Sequence, residues 1–129
     1  MIQRFIELGQ GYSDIYELLE LAKGNRHRIA RLFSFQTTIN DTKVTSLAIA
    51  FHPTTPGDFQ AIYICREGIP NPDLTPSKRF TLFSELAEEL ELPIITLDVK
   101  PSTIFNEKEL YYQHLIGILR MNRYIPAMK

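Results

Sequence analysis

The sequence predicts a single α+β domain over residues 1–129, with helices packed on a mixed β-sheet in the chain order β-α-β-β-β-α-β-α. Three segments place apolar residues at helical spacing, and five others are apolar runs or alternations of strand length. No repeat, low-complexity segment or linker-like segment divides the chain, and 129 residues is close to the commonest domain size. These observations together favour a single domain.

The first half of the chain is predicted to contain a strand, a helix and a β-hairpin. Asp14 and Glu17 form a capping pair near the start of the helix, and Gly24-Asn25 is a typical helical stop. Asn40-Asp41 has the residue types of a tight turn between two strands. The predicted strands are residues 2–8, 29–39 and 43–52.

The second half is predicted to alternate strands and helices. The strand at residues 59–65 is apolar on both faces, which indicates burial between two layers. A helix and a further strand at residues 94–99 follow, and this strand–helix–strand unit predicts a parallel pair with a right-handed crossover. The last helix is expected to open at Asn106, with Glu109 as its capping partner.

The composition excludes several classes of protein. Fourteen Lys and Arg against fifteen Asp and Glu give a net charge of −1, so no global attraction to nucleic acid or to an acidic membrane is expected. The single cysteine excludes an internal disulfide, and the three histidines lack ligand spacing, so neither a metal site nor a cofactor is predicted. Because the chain has no apolar leader and no apolar run of membrane length, a cytoplasmic protein is expected.

Charged residues beside the predicted strands form the candidate site. Arg66 and Glu67 follow the apolar strand, and ligands of open sheets commonly bind beyond strand C-termini. Asp98 and Lys100 share one face of an extended chain and would converge with them if the two strands were neighbours. Lys78 and Arg79 lie in the first turn of the second helix, where the helix dipole disfavours positive charge. Cations at this position could instead serve a bound anion. The predicted ligand-binding residues are Arg66, Glu67, Lys78, Arg79, Asp98 and Lys100.

An alternative interpretation is a degenerate nuclease-like domain, or a small enzyme, that uses the same charges. Pro72-Asp73 and Asp98-x-Lys100 resemble the PD-(D/E)xK nuclease motif, in which two acids hold a divalent metal, and the element order resembles the restriction-endonuclease-like core. That family places its acids on adjacent hairpin strands, whereas a helix separates Asp73 from Asp98 here. The sequence leaves open whether the chain is an enzyme.

Two further features have both structural and functional interpretations. The basic stretch at residues 23–31 could bind phosphate or an acidic partner surface. Cations there also stabilise the end of the first helix, and this structural interpretation is favoured. Tyr111-Tyr112 and the apolar tail could supply a contact in a homodimer built on the third helix. His114 is predicted to be half-buried or solvated.

The full chain resembles a small family of uncharacterised proteins from Bacillus-type bacteria. The similarity rests on IQRFIELG at residues 2–9, GYSDIYE at 11–17, YICREGIPNP at 63–72 and EKELYY at 107–112. The resemblance implies a cytoplasmic bacterial protein of unknown function. Some members carry a methylthioribose kinase label, but this chain has no recognisable nucleotide clamp, metal-binding acid and positioned base for phosphoryl transfer.

The leading functional hypothesis is a binding or adaptor domain without catalysis, whose partner is an unidentified protein or a small anionic ligand. It rests on the charged segment at a predicted strand end and on the lack of a recognisable catalytic motif. The alternatives are the nuclease-like domain or small enzyme, and a structural homodimer subunit. Strand order and oligomeric state do not follow from the residue pattern.

Overall fold

The computed structural model confirms the α+β class and the predicted order of strands and helices. It describes residues 3–8, 14–55, 59–70 and 77–126. The strands are β1 (Gln3–Glu7), β2 (Ile29–Ile39), β3 (Thr42–Phe51), β4 (Gln60–Pro70) and β5 (Ile94–Asp98). The helices are α1 (Asp14–Gly24), α2 (Lys78–Leu90) and α3 (Lys108–Met121). Within these residues, no helix combines the length and the apolar character that a membrane crossing requires.

The five strands form one mixed sheet in the order β1-β4-β3-β2-β5. β3 is antiparallel to both of its neighbours, whereas β1 pairs in parallel with β4, and β5 pairs in parallel with β2. The predicted parallel pair within residues 59–99 is therefore wrong. Because β1 and β3 occupy the two edges of β4, no edge of β4 is free for β5, and β5 pairs with β2 instead.

The hairpin between β2 and β3 forms as predicted around Asn40-Asp41. Ile39 pairs with Thr42 across this two-residue loop. Asn40 and Asp41 have φ angles of 51° and 63°, the left-handed conformation that a type I′ turn requires at both central positions. Asn and Asp tolerate this conformation better than most residues with a side chain. The register of the hairpin is therefore set locally.

Asp41→Gly is expected to stabilise the protein by about 0.5–1 kcal/mol. Glycine adopts the left-handed conformation without a Cβ clash, and Asn-Gly is a preferred pair for this turn. The midpoint of urea unfolding measures the effect. Thr42→Gly, one residue later at the start of β3, serves as the control and should destabilise. Stabilisation of similar size by both changes would contradict the argument from the turn conformation.

Helices cover both faces of the sheet. On one face, α1 and α2 pack on a core that includes Leu18, Leu47 and Phe83. On the other face, α3 packs on a core that includes Phe33, Ile62 and Leu115. β4 contributes to both cores, with Cys65 on the first side and Ile64 on the second. This confirms the prediction that the apolar strand is buried between two layers.

α3 differs from its predicted form at its beginning, whereas its buried face is as predicted. Its N-cap is Glu107, without a side-chain capping bond, so the prediction that Asn106 opens the helix is wrong. Tyr111 and Tyr112 are 0% and 9% exposed in the core beside Leu115. Their rings fill the space between α3 and the sheet, and a homodimer contact built on this helix stays a prediction.

Candidate functional site

β4 continues beyond the position where the sequence predicts its end. Cys65 pairs with Leu47, and Ile69 pairs with Thr45. Between these two pairs β4 advances by four residues and β3 by only two, so β4 contains extra residues here. The segment with Arg66 and Glu67 lies in this irregular part of the strand, where extra residues are accommodated by a bulge. The predicted position of these two residues in a loop is corrected accordingly. Their side chains, and all of Asp73, lie outside the described residues.

Asp98 and Lys100 do not meet the β4 residues. Both are exposed at the end of β5. The pairings place Cys65 at the same level of the sheet as Thr96, but three strand spacings separate them, which is roughly 14 Å at about 4.8 Å per spacing. The condition for convergence, that β4 and β5 are neighbours, is not met. The strand order therefore does not support the nuclease-like arrangement with Glu67, and a nuclease-like role stays a prediction.

Lys78 and Arg79 open α2, as predicted. The hydroxyl of the N-cap Ser77 accepts a hydrogen bond from the backbone N–H of Phe80 at 3.4 Å. Lys78 is exposed and Arg79 is half-buried. Anion binding by this pair also stays a prediction.

An open cleft of about 610 Å³ lies at the opposite end of the sheet. We call it the arginine cleft because Arg31, Arg120 and Arg123 line it. The other lining residues are Ala30, His52, Pro53, Gln60, Tyr124, Ile125 and Pro126. No acidic residue is among these described lining residues. The cleft is therefore a region of positive charge on a domain whose net charge is −1.

The sheet and α3 bring the lining residues together. Arg31 lies near the beginning of β2, His52 follows the end of β3, and Gln60 opens β4. Because β3 is antiparallel to β2 and β4, its end lies beside their beginnings. Arg120 lies in the last turn of α3, and the chain after this helix supplies the remaining side. The cleft thus lies at the strand end opposite to the predicted one.

A buried hydrogen-bond network, here called the Gln3 network, borders the cleft. Gln3 is 4% exposed and Gln60 is 3% exposed. The Oε1 of Gln3 accepts hydrogen bonds from the Nε of Arg120, at 3.1 Å, and from its Nη2. The Nε2 of Gln3 donates to the Oε1 of Gln60 at 3.3 Å and to the carbonyl oxygen of Pro126 at 2.9 Å. One side chain of β1 therefore joins α3, β4 and the C-terminal segment.

Arg123 has an unusual backbone conformation for an arginine. Its φ is 61°, directly after Asn122, the C-cap of α3. Glycine is the usual residue in this conformation after a helix, because a Cβ costs about 1–2 kcal/mol there. Arg123 is exposed and lines the cleft. The backbone N–H groups of Arg123 and Tyr124 donate to the carbonyl oxygens of Arg120 and Leu119, which ends the helix, and the side chain of Arg123 is left to line the cleft.

The cleft arginines have no carboxylate partner in the described part of the chain. The guanidinium of Arg31 lies 5.8 Å from the ring centroid of Tyr124, a cation–π distance. Arg120 bonds to the neutral amide oxygen of the Gln3 network. By contrast, Arg26 outside the cleft pairs with Glu89 at 3.7 Å. The negative end of the α3 dipole offsets only about half a charge at the cleft.

The basic stretch at residues 23–31 contributes to a structural turn and to the lining of the arginine cleft, and phosphate binding by it stays a prediction. Arg28 donates from Nε to the carbonyl oxygen of His52, and from Nη1 to the Oδ1 of Asn25, each at 3.1 Å. These bonds hold the turn between α1 and β2, in line with the structural interpretation. Arg31, at the end of the stretch, lines the arginine cleft instead.

Sequence reasoning did not identify Gln3, Gln60, Arg120 or Arg123. Arg123 was the one residue with a local indication. It follows Asn122 at the end of a helix, a position at positive φ where glycine is the usual residue. The Gln3 network had none, since Gln3 and Arg120 are 117 residues apart in the chain.

His114 on α3 is half-buried, within the range that the sequence predicted. Its Nε2 accepts a hydrogen bond from the backbone N–H of Lys100 at 3.3 Å, and its ring packs 5.4 Å from that of Phe105. Burial, and then the charge of Lys100, lower the pKa of His114 below its ordinary value of 6.5. The folded protein therefore favours the neutral imidazole.

We expect the free energy of unfolding to fall as the pH drops below about 6.5. The pKa of His114 is lower in the folded state, so its contribution is present above the ordinary value and is lost as the pH falls through the lowered one. Urea unfolding between about pH 5 and pH 8 measures this dependence. His114→Gln keeps an acceptor for the Lys100 N–H and should flatten the curve, with His27→Gln at an exposed histidine as the control. An unchanged slope in His114→Gln would contradict the assignment.

Comparisons with known proteins give one match. No curated protein and no solved structure matches this chain. The sequence model of one protein family covers residues 1–125, nearly all of the chain, and that family is described as a domain of unknown function. This confirms the expectation of an uncharacterised family. The chain belongs to the family DUF7147.

Proposed function

We propose that this protein is a ligand-binding domain that holds a small anionic ligand in the arginine cleft. The observation that carries the proposal is that Arg31, Arg120 and Arg123 line one cleft without an acidic residue among the lining side chains described. Like charges gathered at one place repel each other, and a bound anion offsets that repulsion. Guanidinium groups also bind phosphate and carboxylate through paired hydrogen bonds.

The volume of the cleft and the contacts that hold its arginines in place support the same function. Its volume of about 610 Å³ lies within the range of roughly 300–1,000 Å³ that small-molecule sites occupy. The Gln3 network holds Arg120, and the ring of Tyr124 lies beside the guanidinium of Arg31. Side chains that are already held in place lose less conformational entropy when a ligand binds.

The test is a titration with inorganic phosphate and with sulfate at constant ionic strength, followed by thermal unfolding and calorimetry. An anion present at about 100 times its Kd should stabilise the fold by about 2.7 kcal/mol, which raises Tm by several degrees. The double change Arg31→Gln with Arg123→Gln should abolish this shift. Arg26→Gln removes an arginine outside the cleft and should retain it.

Two results would count against the proposal. If neither phosphate nor sulfate shifts the native protein, the cleft does not bind such anions. If Arg26→Gln loses the shift as completely as the double variant does, the effect comes from the general charge of the protein and not from the cleft.

A second candidate function is a structural homodimer subunit, supported by two exposed apolar residues on α3. Leu110 is 44% exposed and Met121 is 84% exposed. A stable interface must bury roughly 1,000 Å² or more, so it would have to extend beyond these two side chains. Sedimentation equilibrium tests the idea: a dimer should dissociate in Leu110→Lys with Met121→Lys, and a native protein that stays monomeric at all concentrations excludes it.

A further inference from the structure

We propose that the anion in the arginine cleft is the dianion of a phosphate monoester carried on a small organic group. This inference rests on the function proposed above and names the chemical class of its ligand. It depends on the orientation of two buried amides and on the three elements, β2, β4 and the end of α3, that bring donor groups to the cleft.

The Gln3 network determines which end of Gln60 is available to a ligand. A side-chain amide has one acceptor oxygen and one NH₂ donor group, whereas a guanidinium only donates. The oxygen of Gln3 therefore faces Arg120, and its Nε2 donates to the Oε1 of Gln60. The Nε2 of Gln60 is left with no acceptor among the residues that the structure describes. Since Gln60 lines the cleft, this nitrogen is a donor for whatever binds there.

Four side chains at the cleft thus offer N–H groups and no acceptor: those of Arg31, Arg120, Arg123 and Gln60. Because the Nε2 of Gln60 can only donate, it adds to the preference of the cleft for a ligand rich in acceptor oxygens. A dianion offers acceptor oxygens to all four of these side chains and brings no O–H group of its own. The arrangement therefore favours the fully deprotonated form of the ligand.

The positions of the guanidinium groups favour a tetrahedral anion over a planar one. Arg31 extends from β2, Arg120 from the last turn of α3, and Arg123 from the segment after that helix. A carboxylate has two oxygens in one plane. A phosphate monoester has three acceptor oxygens that point in three directions, which suits donors on β2, at the end of α3 and, through Gln60, on β4.

The remaining walls of the cleft suit an organic group. A volume of about 610 Å³ is far larger than a phosphate group needs. Ala30, Pro53 and Ile125 supply an apolar surface beside the arginines. A ring or short chain attached to the phosphate would lose contact with water against this surface. The ligand class is therefore a phosphate monoester and not inorganic phosphate alone.

The experiment compares three probes that share a phenyl ring: phenyl phosphate, phenyl sulfate and benzoate. Calorimetry at about pH 7.5 and about pH 5.0 covers both sides of the second phosphate pKa, which is about 6. At the higher pH, phenyl phosphate should bind at least about tenfold more tightly than the other two probes. At the lower pH only about one-tenth of it is dianionic, so its affinity relative to phenyl sulfate should fall about tenfold. Phenyl sulfate keeps one charge throughout and reports any titration of the protein itself, including His52 in the cleft.

Gln60→Glu tests the donor role of the amide directly. It keeps an oxygen that accepts from Gln3 and replaces the NH₂ group with a second oxygen. The affinity for phenyl phosphate should fall by more than about tenfold. Circular dichroism checks that the variant is folded, and the pH comparison on the native protein decides the inference if it is not.

The outcomes separate this inference from the function on which it rests. Three probes of equal affinity, all weakened in the Arg31→Gln with Arg123→Gln variant, would overturn the phosphate class and leave the anion-binding function in place. A preference for phenyl phosphate that persists unchanged at the lower pH would overturn selection of the dianion. Failure of every probe, together with failure of inorganic phosphate and sulfate, would overturn both.

Discussion

Replacing Arg123 by glycine is expected to weaken anion binding by about 10- to 100-fold while making the protein more stable. The affinity falls because a hydrogen bond to a charged group contributes about 1.5–3 kcal/mol, which corresponds to that range. The arginine lines the cleft, is exposed, and has no ion-pair partner in the described residues, so its loss leaves no buried charge behind.

The same substitution should raise the stability of the folded protein, because glycine suits the backbone conformation at position 123 better than arginine does. The φ of 61° strains an arginine but suits glycine, which is the preferred residue after a helix. We expect a gain of about 1 kcal/mol, or about 3 °C in Tm for a domain of this size. Thermal unfolding and calorimetry with inorganic phosphate, performed on the same variant, measure the two effects.

Glu91→Gly is the matched control for this prediction. Glu91 also follows a helix, with a φ of 56° at the C-cap of α2, but it is not among the lining residues of the arginine cleft. Its replacement should raise Tm by a similar amount and leave phosphate affinity unchanged. A loss of stability in Arg123→Gly, or equal affinity losses in the two variants, would contradict the account of the cleft.

Gln3→Met is expected to lower the free energy of unfolding by about 2–4 kcal/mol. The change keeps most of the side-chain volume but removes an acceptor for Arg120 and a donor for both Gln60 and Pro126. Each buried polar group left without a partner costs about 1–3 kcal/mol. Urea unfolding followed by circular dichroism measures the loss.

Gln113→Met is the control, because Gln113 is an exposed glutamine on α3. A surface change of this kind normally alters stability by less than about 0.5 kcal/mol. If Gln3→Met costs no more than Gln113→Met, the network does not hold β1 to α3 and to the C-terminal segment. The Gln3 variant should also bind phosphate more weakly, since Arg120 is no longer held in one position.

Part of the candidate site was predictable, and part was not. Arg31 belongs to the basic stretch for which phosphate binding was one interpretation. The charges at Asp98 and Lys100 were expected to join those on β4, but β3 and β2 lie between these strands. The interpretation of the basic stretch depended only on residues that are close in the chain. The convergence of Asp98 and Lys100 with β4 depended also on which strands are neighbours in the sheet, which the residue pattern does not specify.

The sequence by itself determined the strands, the helices, their buried faces and the hairpin turn. Periodicity, helix stops and the conformational preferences of Asn40-Asp41 act over a few residues, so a short segment contains the necessary information. Only the tertiary structure decided the strand order and the arginine cleft. β5 pairs with β2 because β4 has no free edge, and Gln3 meets Gln60, Arg120 and Pro126 across separations of 57, 117 and 123 residues. Such contacts arise from the packing of the whole chain, and no local pattern specifies them.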